Sequence, residues 1–150
     1  ILAYYNLIGA SFNGVTFGLI FCMLCTCNSG SRPTNVWPIM LGYVVASFVT
    51  SWISPLLGGN FTLAINAQAI AIGLCYASGL RPICDKYGWA YGFVAAMIHY
   101  CLVTLVPGLH GGFCLYNGGF TAIFVCIILV PVLEKFCKTK EERKALKVAK

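Results

Sequence analysis

Residues 87–133 read YGWAYGFVAAMIHYCLVTLVPGLHGGFCLYNGGFTAIFVCIILVPVL and contain no Asp, Glu, Lys or Arg. The run between Arg32 and Arg81 is equally bare, and ten of the fourteen charged residues crowd into Glu134–Lys150. A water-soluble domain cannot cover its surface with so little charge. A bilayer can accept such a chain, because lipid tails solvate apolar side chains and penalise charged ones. The sequence therefore specifies an integral membrane protein of the all-α class, a polytopic transmembrane helix bundle.

Composition agrees with that class. Hydrophobic residues make up 59% of the chain and charged residues 9%, against roughly 45–50% and about 25% in soluble domains. At about 20 residues per crossing, the chain parses into five spans. These are Tyr4–Cys27, Trp37–Ser54, Phe61–Leu80, Trp89–Val106 and a short run, Phe120–Leu133. The organisation expected is a transmembrane helical domain over 1–133 and a charged C-terminal tail over 134–150. Two connections, N-S-G-S-R-P-T-N and R-P-I-C-D-K-Y-G, carry charge; S-P-L-L-G-G-N and the glycine-rich stretch after Pro107 carry none. With the Lys-rich tail in the cytoplasm, five crossings put every Lys and Arg on the cytoplasmic side, as the positive-inside rule requires. Trp37 and Trp52, fifteen residues apart or roughly 22 Å along a helix, suit the two interfacial belts.

The chain opens on Ile1 with no charged leader, which predicts a fragment lacking an N-terminal half. An odd number of spans would orient a preceding, similar unit the opposite way, giving an inverted repeat with that missing half or with a partner chain. Small residues at four-residue spacing predict close helix packing, and homo-oligomers are compatible with it. The faces are Ala10/Gly14/Gly18, Gly42/Ala46/Thr50, Ala69/Gly73/Ala77 and Gly88/Gly92/Ala96.

The stretch Pro107–Phe120, G-L-H-G-G-F-C-L-Y-N-G-G-F after its proline, holds five glycines between two apolar runs. Glycine pairs free the backbone to turn, and the fourteen residues that follow span only about 21 Å. Both features predict a re-entrant segment, which at membrane depth must be buried or line a watery cavity. The other reading is an ordinary outside loop. Candidate pathway residues are His110, Tyr116 and Asn117 at an outer mouth, with His99 and Asn13 deeper. Intramembrane ionisable groups are functional candidates by default; the competing reading of His99 is a neutral ring bonded to a helix carbonyl. Gln68 reads as interhelical glue.

No Asp or Glu lies within a span, so this unit offers no carboxylate for a coupling ion. It has no H-E-x-x-H, G-x-S-x-G or P-loop pattern, and neither enzymatic chemistry nor a cofactor is expected. Nine cysteines, an odd number, imply no disulfide framework. Cys22, Cys25 and Cys27 form a C-x-x-C-x-C cluster that could hold a metal, although small residues packed at a helix end explain it as well. The net charge of +6 sits in the tail, beside a span, where it suits anionic lipid and not nucleic acid. The function expected is a channel or facilitator for a small neutral or weakly polar solute. A non-transporting subunit or scaffold is the alternative.

H-G-G-F-C-L-Y-N-G-G-F-T-A followed by I-L-V-P-V-L-E-K-F resembles an uncharacterised, domain-of-unknown-function family of bacterial, mainly Firmicutes, polytopic membrane proteins. N-V-W-P-I-M-L-G-Y resembles its pattern too. That likeness implies a bacterial cytoplasmic membrane and a longer parent chain, and it assigns no active site. A looser architectural resemblance is to urea channels, whose halves are inverted five-span units with a re-entrant piece.

Overall fold

The computed structural model describes residues 2–7, 9, 12–28, 30–56, 58, 66–109 and 117–149. Among them every regular element is helical: α1 (Leu2–Leu7), α2 (Gly14–Asn28), α3 (Pro33–Ile53), α4 (Gln68–Tyr76), α5 (Arg81–Tyr87), α6 (Trp89–Leu109), α7 (Asn117–Phe136) and α8 (Lys140–Val148). A 3-10 turn, Ala77–Leu80, joins α4 to α5. Three helices, α3, α6 and α7, are long and apolar enough to cross a bilayer, the signature of an integral membrane protein.

Several boundaries differ from the sequence reading, each for a local reason. The first run is not one helix. Gly9 adopts φ +65, which L side chains resist, and Asn13 Oδ1 accepts from the N–H groups of Val15 (3.0 Å) and Thr16 (3.2 Å), starting α2 afresh. The R-P-I-C-D-K-Y link is helical as α5. Pro82 suits a first turn, Arg81 pairs with Asp85 one turn on at 3.3 Å, and Ile83, Cys84 and Tyr87 bury one face. Gly88, at φ +118, ends it.

The final run is also longer than expected. α7 has 20 residues, about 30 Å of rise, so shortness no longer argues for a re-entrant segment. Gly118 and Gly119 belong to its first turn. A Cβ at Gly118 would stand 2.9 Å from Tyr76 Cδ2 and 3.2 Å from Gly73 Cα, so this glycine permits close packing of α4 on α7. Pro107 and Gly108 fall within α6, and residues 110–116 lie outside the described residues.

The centre of the bundle is α3 laid along α6 in the same direction, with Trp37 stacked on Trp89 (5.9 Å), Gly42 against Phe93, and Tyr43 against Tyr100 (5.7 Å). α4, α5 and α7 close around them, and the shared core includes Ile39, Ile70, Ile83, Ala96, Val103 and Val125. Outward-facing Phe48, Trp52, Leu105, Ile123 and Ile127 are exposed. An apolar surface of that extent suits lipid, not water.

Beyond α7 the chain becomes polar. The Glu134 carboxylate bonds Lys86 at 2.9 Å and holds that ammonium above its ordinary range. Thr139 caps α8: its hydroxyl accepts from Glu142 N (3.2 Å), and its own N–H donates to Glu142 Oε2 (2.7 Å). Hydrogen bonding to the carboxyl from Thr139, from its backbone N–H first and its side chain second, holds the Glu142 carboxyl below its usual 4.5. A lowered carboxyl contributes its stabilisation above the ordinary value and loses it as pH falls through the lowered one. The first turn of α8 is therefore expected to be intact at neutral pH and to fray as pH falls through and below the ordinary carboxyl range. Chemical shifts of residues 140–143 report this, and Glu142→Gln should flatten the pH dependence. An unchanged transition in that variant would exclude the cap as its origin.

Candidate functional site

His99 is the eleventh of the 21 residues of α6, and Tyr43 is the eleventh of the 21 of α3. Because the two helices run alongside in the same direction, their midpoints meet. The Tyr43 hydroxyl bonds His99 Nδ1. On the other side of the ring, Nε2 lies 2.8 Å from the Gly118 carbonyl and 2.9 Å from Thr121 Oγ1, both within the first five residues of α7. His99, Tyr43 and Thr121 are all buried, with His99 at 0% exposure. One imidazole thus ties three helices together at mid-depth.

The bonding pattern fixes the roles. A carbonyl only accepts, so Nε2 carries the proton and donates to Gly118 O. In the neutral ring Nδ1 then accepts from the Tyr43 O–H. Thr121 Oγ1 donates to the same Gly118 carbonyl at 3.1 Å and presents its lone pairs to the Nε2 proton. Each ring nitrogen has a partner, which is what a buried polar group in an apolar bundle requires.

A groove of about 400 Å³, mostly apolar and open on the outward side where Ile123 and Ile127 stand, lies close by, between the α4–α5 junction and α7. Tyr76, Ser78 and Gly79 form one wall; Gly119, Ala122 and Cys126 form much of the other. The first wall includes the 3-10 turn, in which Ala77, Ser78 and Leu80 are buried. Thr121 and Gly118 of the His99 network stand in the same α7 turns that supply Gly119 and Ala122.

The sequence profile described as "Protein of unknown function (DUF1576)" matches residues 1–135. The chain belongs to that family. The family match takes in every helix through α7 except its last residue and stops before α8. The His99 network and the groove therefore both lie within the family's own span. Neither the curated proteins nor the solved structures hold a match to the chain.

Of the residues singled out in the sequence, His99 is the one placed in this network. Asn13 is exposed at the start of α2, and its recorded bonds are the local cap. His110 and Tyr116 lie outside the described residues, and of Asn117 only the backbone, as the start of α7, is described. Cys22, Cys25 and Cys27 are exposed thiols on α2, with Cys22 Sγ 3.8 Å from the Tyr76 hydroxyl. Among the described residues no group of three His, Cys, Asp or Glu side chains is arranged to hold a metal. Tyr43, Thr121 and the Gly118 carbonyl were not expected. A signal existed for Tyr43: a mid-span His needs a partner at its own depth, and Tyr43 is the polar side chain at the midpoint of α3.

Proposed function

We propose that this protein is a membrane transport protein, a channel or facilitator for a small neutral or weakly polar solute. The observation that carries the reading is the point along α6 at which α7 begins. Its first turn bonds the midpoint of α6 through His99, beside the groove and the irregular 77–80 backbone. Helices that start within the bilayer point unpaired N–H groups and the positive end of their dipole toward a solute path. In this proposal five crossings carry the chain through a bacterial cytoplasmic membrane with its C-terminus inside. A second, inverted half completes the unit, and His110, Tyr116 and Asn117 shape the outer mouth.

The rival reading, a non-transporting subunit or scaffold, draws on the closed bonding of His99, which leaves the ring no exposed atom. Reconstitution into proteoliposomes separates the two. Transport predicts influx of small uncharged solutes above protein-free vesicles, whereas a scaffold predicts none across a panel. The topology is checked with Asn60→Cys and Lys140→Cys in a cysteine-free background. Impermeant thiol reagents should label them from opposite faces, and labelling of both from one face would reject the five-crossing arrangement.

A further inference from the structure

α8 carries Lys140, Arg143, Lys144 and Lys147 at positions i, i+3, i+4 and i+7, which is one helical face. That face lines a cleft of about 390 Å³ whose opposite wall is Trp89–Tyr91, the start of α6. Arg143 is fixed in place: a guanidinium nitrogen donates to the Tyr87 carbonyl, and the group lies 5.8 Å over the Tyr91 ring. Arg143 and Lys140 both reach over Gly88: a Cβ there would lie at ordinary contact distance from each, 3.4 Å from Arg143 Nη2 and 3.6 Å from Lys140 Cε. Among the described residues the ion pairs are Arg81–Asp85 and Lys86–Glu134, and neither uses a cation of this face. Glu142 of α8 is engaged by its cap.

Four cations gathered on one cleft call for an anion, and the surroundings say which kind. Trp89 stacks on Trp37, both exposed at the same end of α6 and α3, the arrangement of an interfacial aromatic belt. Ala90 stands at the cleft, and from it an exposed stripe continues along α6 through Val94, Ile98, Cys101 and Leu105 at helical spacing. A free anion would have no use for that stripe, whereas acyl chains would. We propose that the cleft binds the phosphate of an anionic phospholipid from the leaflet beside α8. The Arg143 fork and the three ammonium groups hold the headgroup, and one chain lies along Val94–Leu105. The site stands independently of whether the chain transports a solute.

The test is native mass spectrometry of the full chain in detergent, titrated with phosphatidylglycerol or phosphatidylcholine. Phosphatidylglycerol should bind about tenfold more tightly or better. Lys144→Gln combined with Lys147→Gln, both exposed and outside the core, should remove most of that preference without lowering the unfolding temperature. Lys135→Gln combined with Lys138→Gln, an equal charge change outside the cleft, should leave the preference intact. Millimolar inorganic phosphate should not displace the lipid. Equal binding of the two lipids, an unaffected Lys144→Gln/Lys147→Gln variant, or an equal loss in Lys135→Gln/Lys138→Gln would overturn the proposal. Displacement by inorganic phosphate would overturn the lipid assignment in favour of a free-anion site.

Discussion

Gly42→Ala, the smallest possible addition, is expected to destabilise the bundle by about 1–3 kcal/mol, although alanine is the better helix former by about 1 kcal/mol. The added Cβ would stand 2.7 Å from the Phe93 carbonyl oxygen and 2.8 Å from Ala96 Cβ. The first of these is backbone and cannot rotate away, so α3 and α6 must separate, and they form the centre of the core. Gly42→Leu should abolish monodisperse folded protein. Gly92 offers the contrast. There a Cβ would run into Cys84 Sγ, a side-chain atom, so Cys84→Ala should recover much of the loss in Gly92→Ala. Ala96→Gly should not rescue Gly42→Ala, because the Phe93 carbonyl remains. Gly18 has no described atom within 4 Å of its would-be Cβ, and Gly18→Ala should be neutral or stabilising. Unfolding temperatures from tryptophan emission in detergent rank these variants. Equal temperatures for Gly42→Ala and Gly18→Ala would show that close approach of α3 and α6 is not what holds the bundle.

That ranking rests on a pattern visible in the sequence. Small residues at four-residue spacing mark close approach where no hydrophobic effect acts between helices, and Gly42 with Ala46 meets Ala96 as the spacing allows. The pattern could not say which small faces find a neighbour within this chain: Gly14 and Gly18 carry the same spacing and meet nothing described. Charge-free length identified α3, α6 and α7 because hydropathy and span length are linked by the bilayer itself. It misjudged α5, where polar Arg81, Asp85 and Lys86 hid a helical repeat of Leu80, Ile83, Cys84 and Tyr87. It also misjudged the start of α7. Gly118 and Gly119 look like a turn in any local reading, and their use against Tyr76 depends on a contact more than forty residues away in sequence. The site was legible in the same partial way. A histidine within a span must face protein, but which hydroxyl and which carbonyl meet it depends on the stagger of three helices, and sequence carries no direct record of stagger.

The His99 network makes the second large prediction. His99→Leu removes the imidazole bonds to Tyr43, Gly118 and Thr121 together, and the expected loss of stability is about 1–3 kcal/mol. A single interhelical side-chain bond in a membrane protein is typically worth about 0.6 kcal/mol, so Tyr43→Phe and Thr121→Val should each cost less than His99→Leu. Because the three side chains share one ring, their effects should not add. A double-mutant cycle of Tyr43→Phe with His99→Leu should give a coupling of about 0.5 kcal/mol or more, and additive losses would mean that the ring does not tie α3 to α6. The same variants weigh transport against scaffolding. If the network only joins helices, flux per folded molecule in proteoliposomes should survive Tyr43→Phe, which keeps the ring and its α7 bonds. If the start of α7 borders the solute path, releasing either side of His99 shifts that turn against the Tyr76–Gly119 groove, and flux should fall at matched folded protein even where the stability loss is small. A fall in stability with unchanged flux in every variant would leave His99 as a tie between helices and remove it from the pathway.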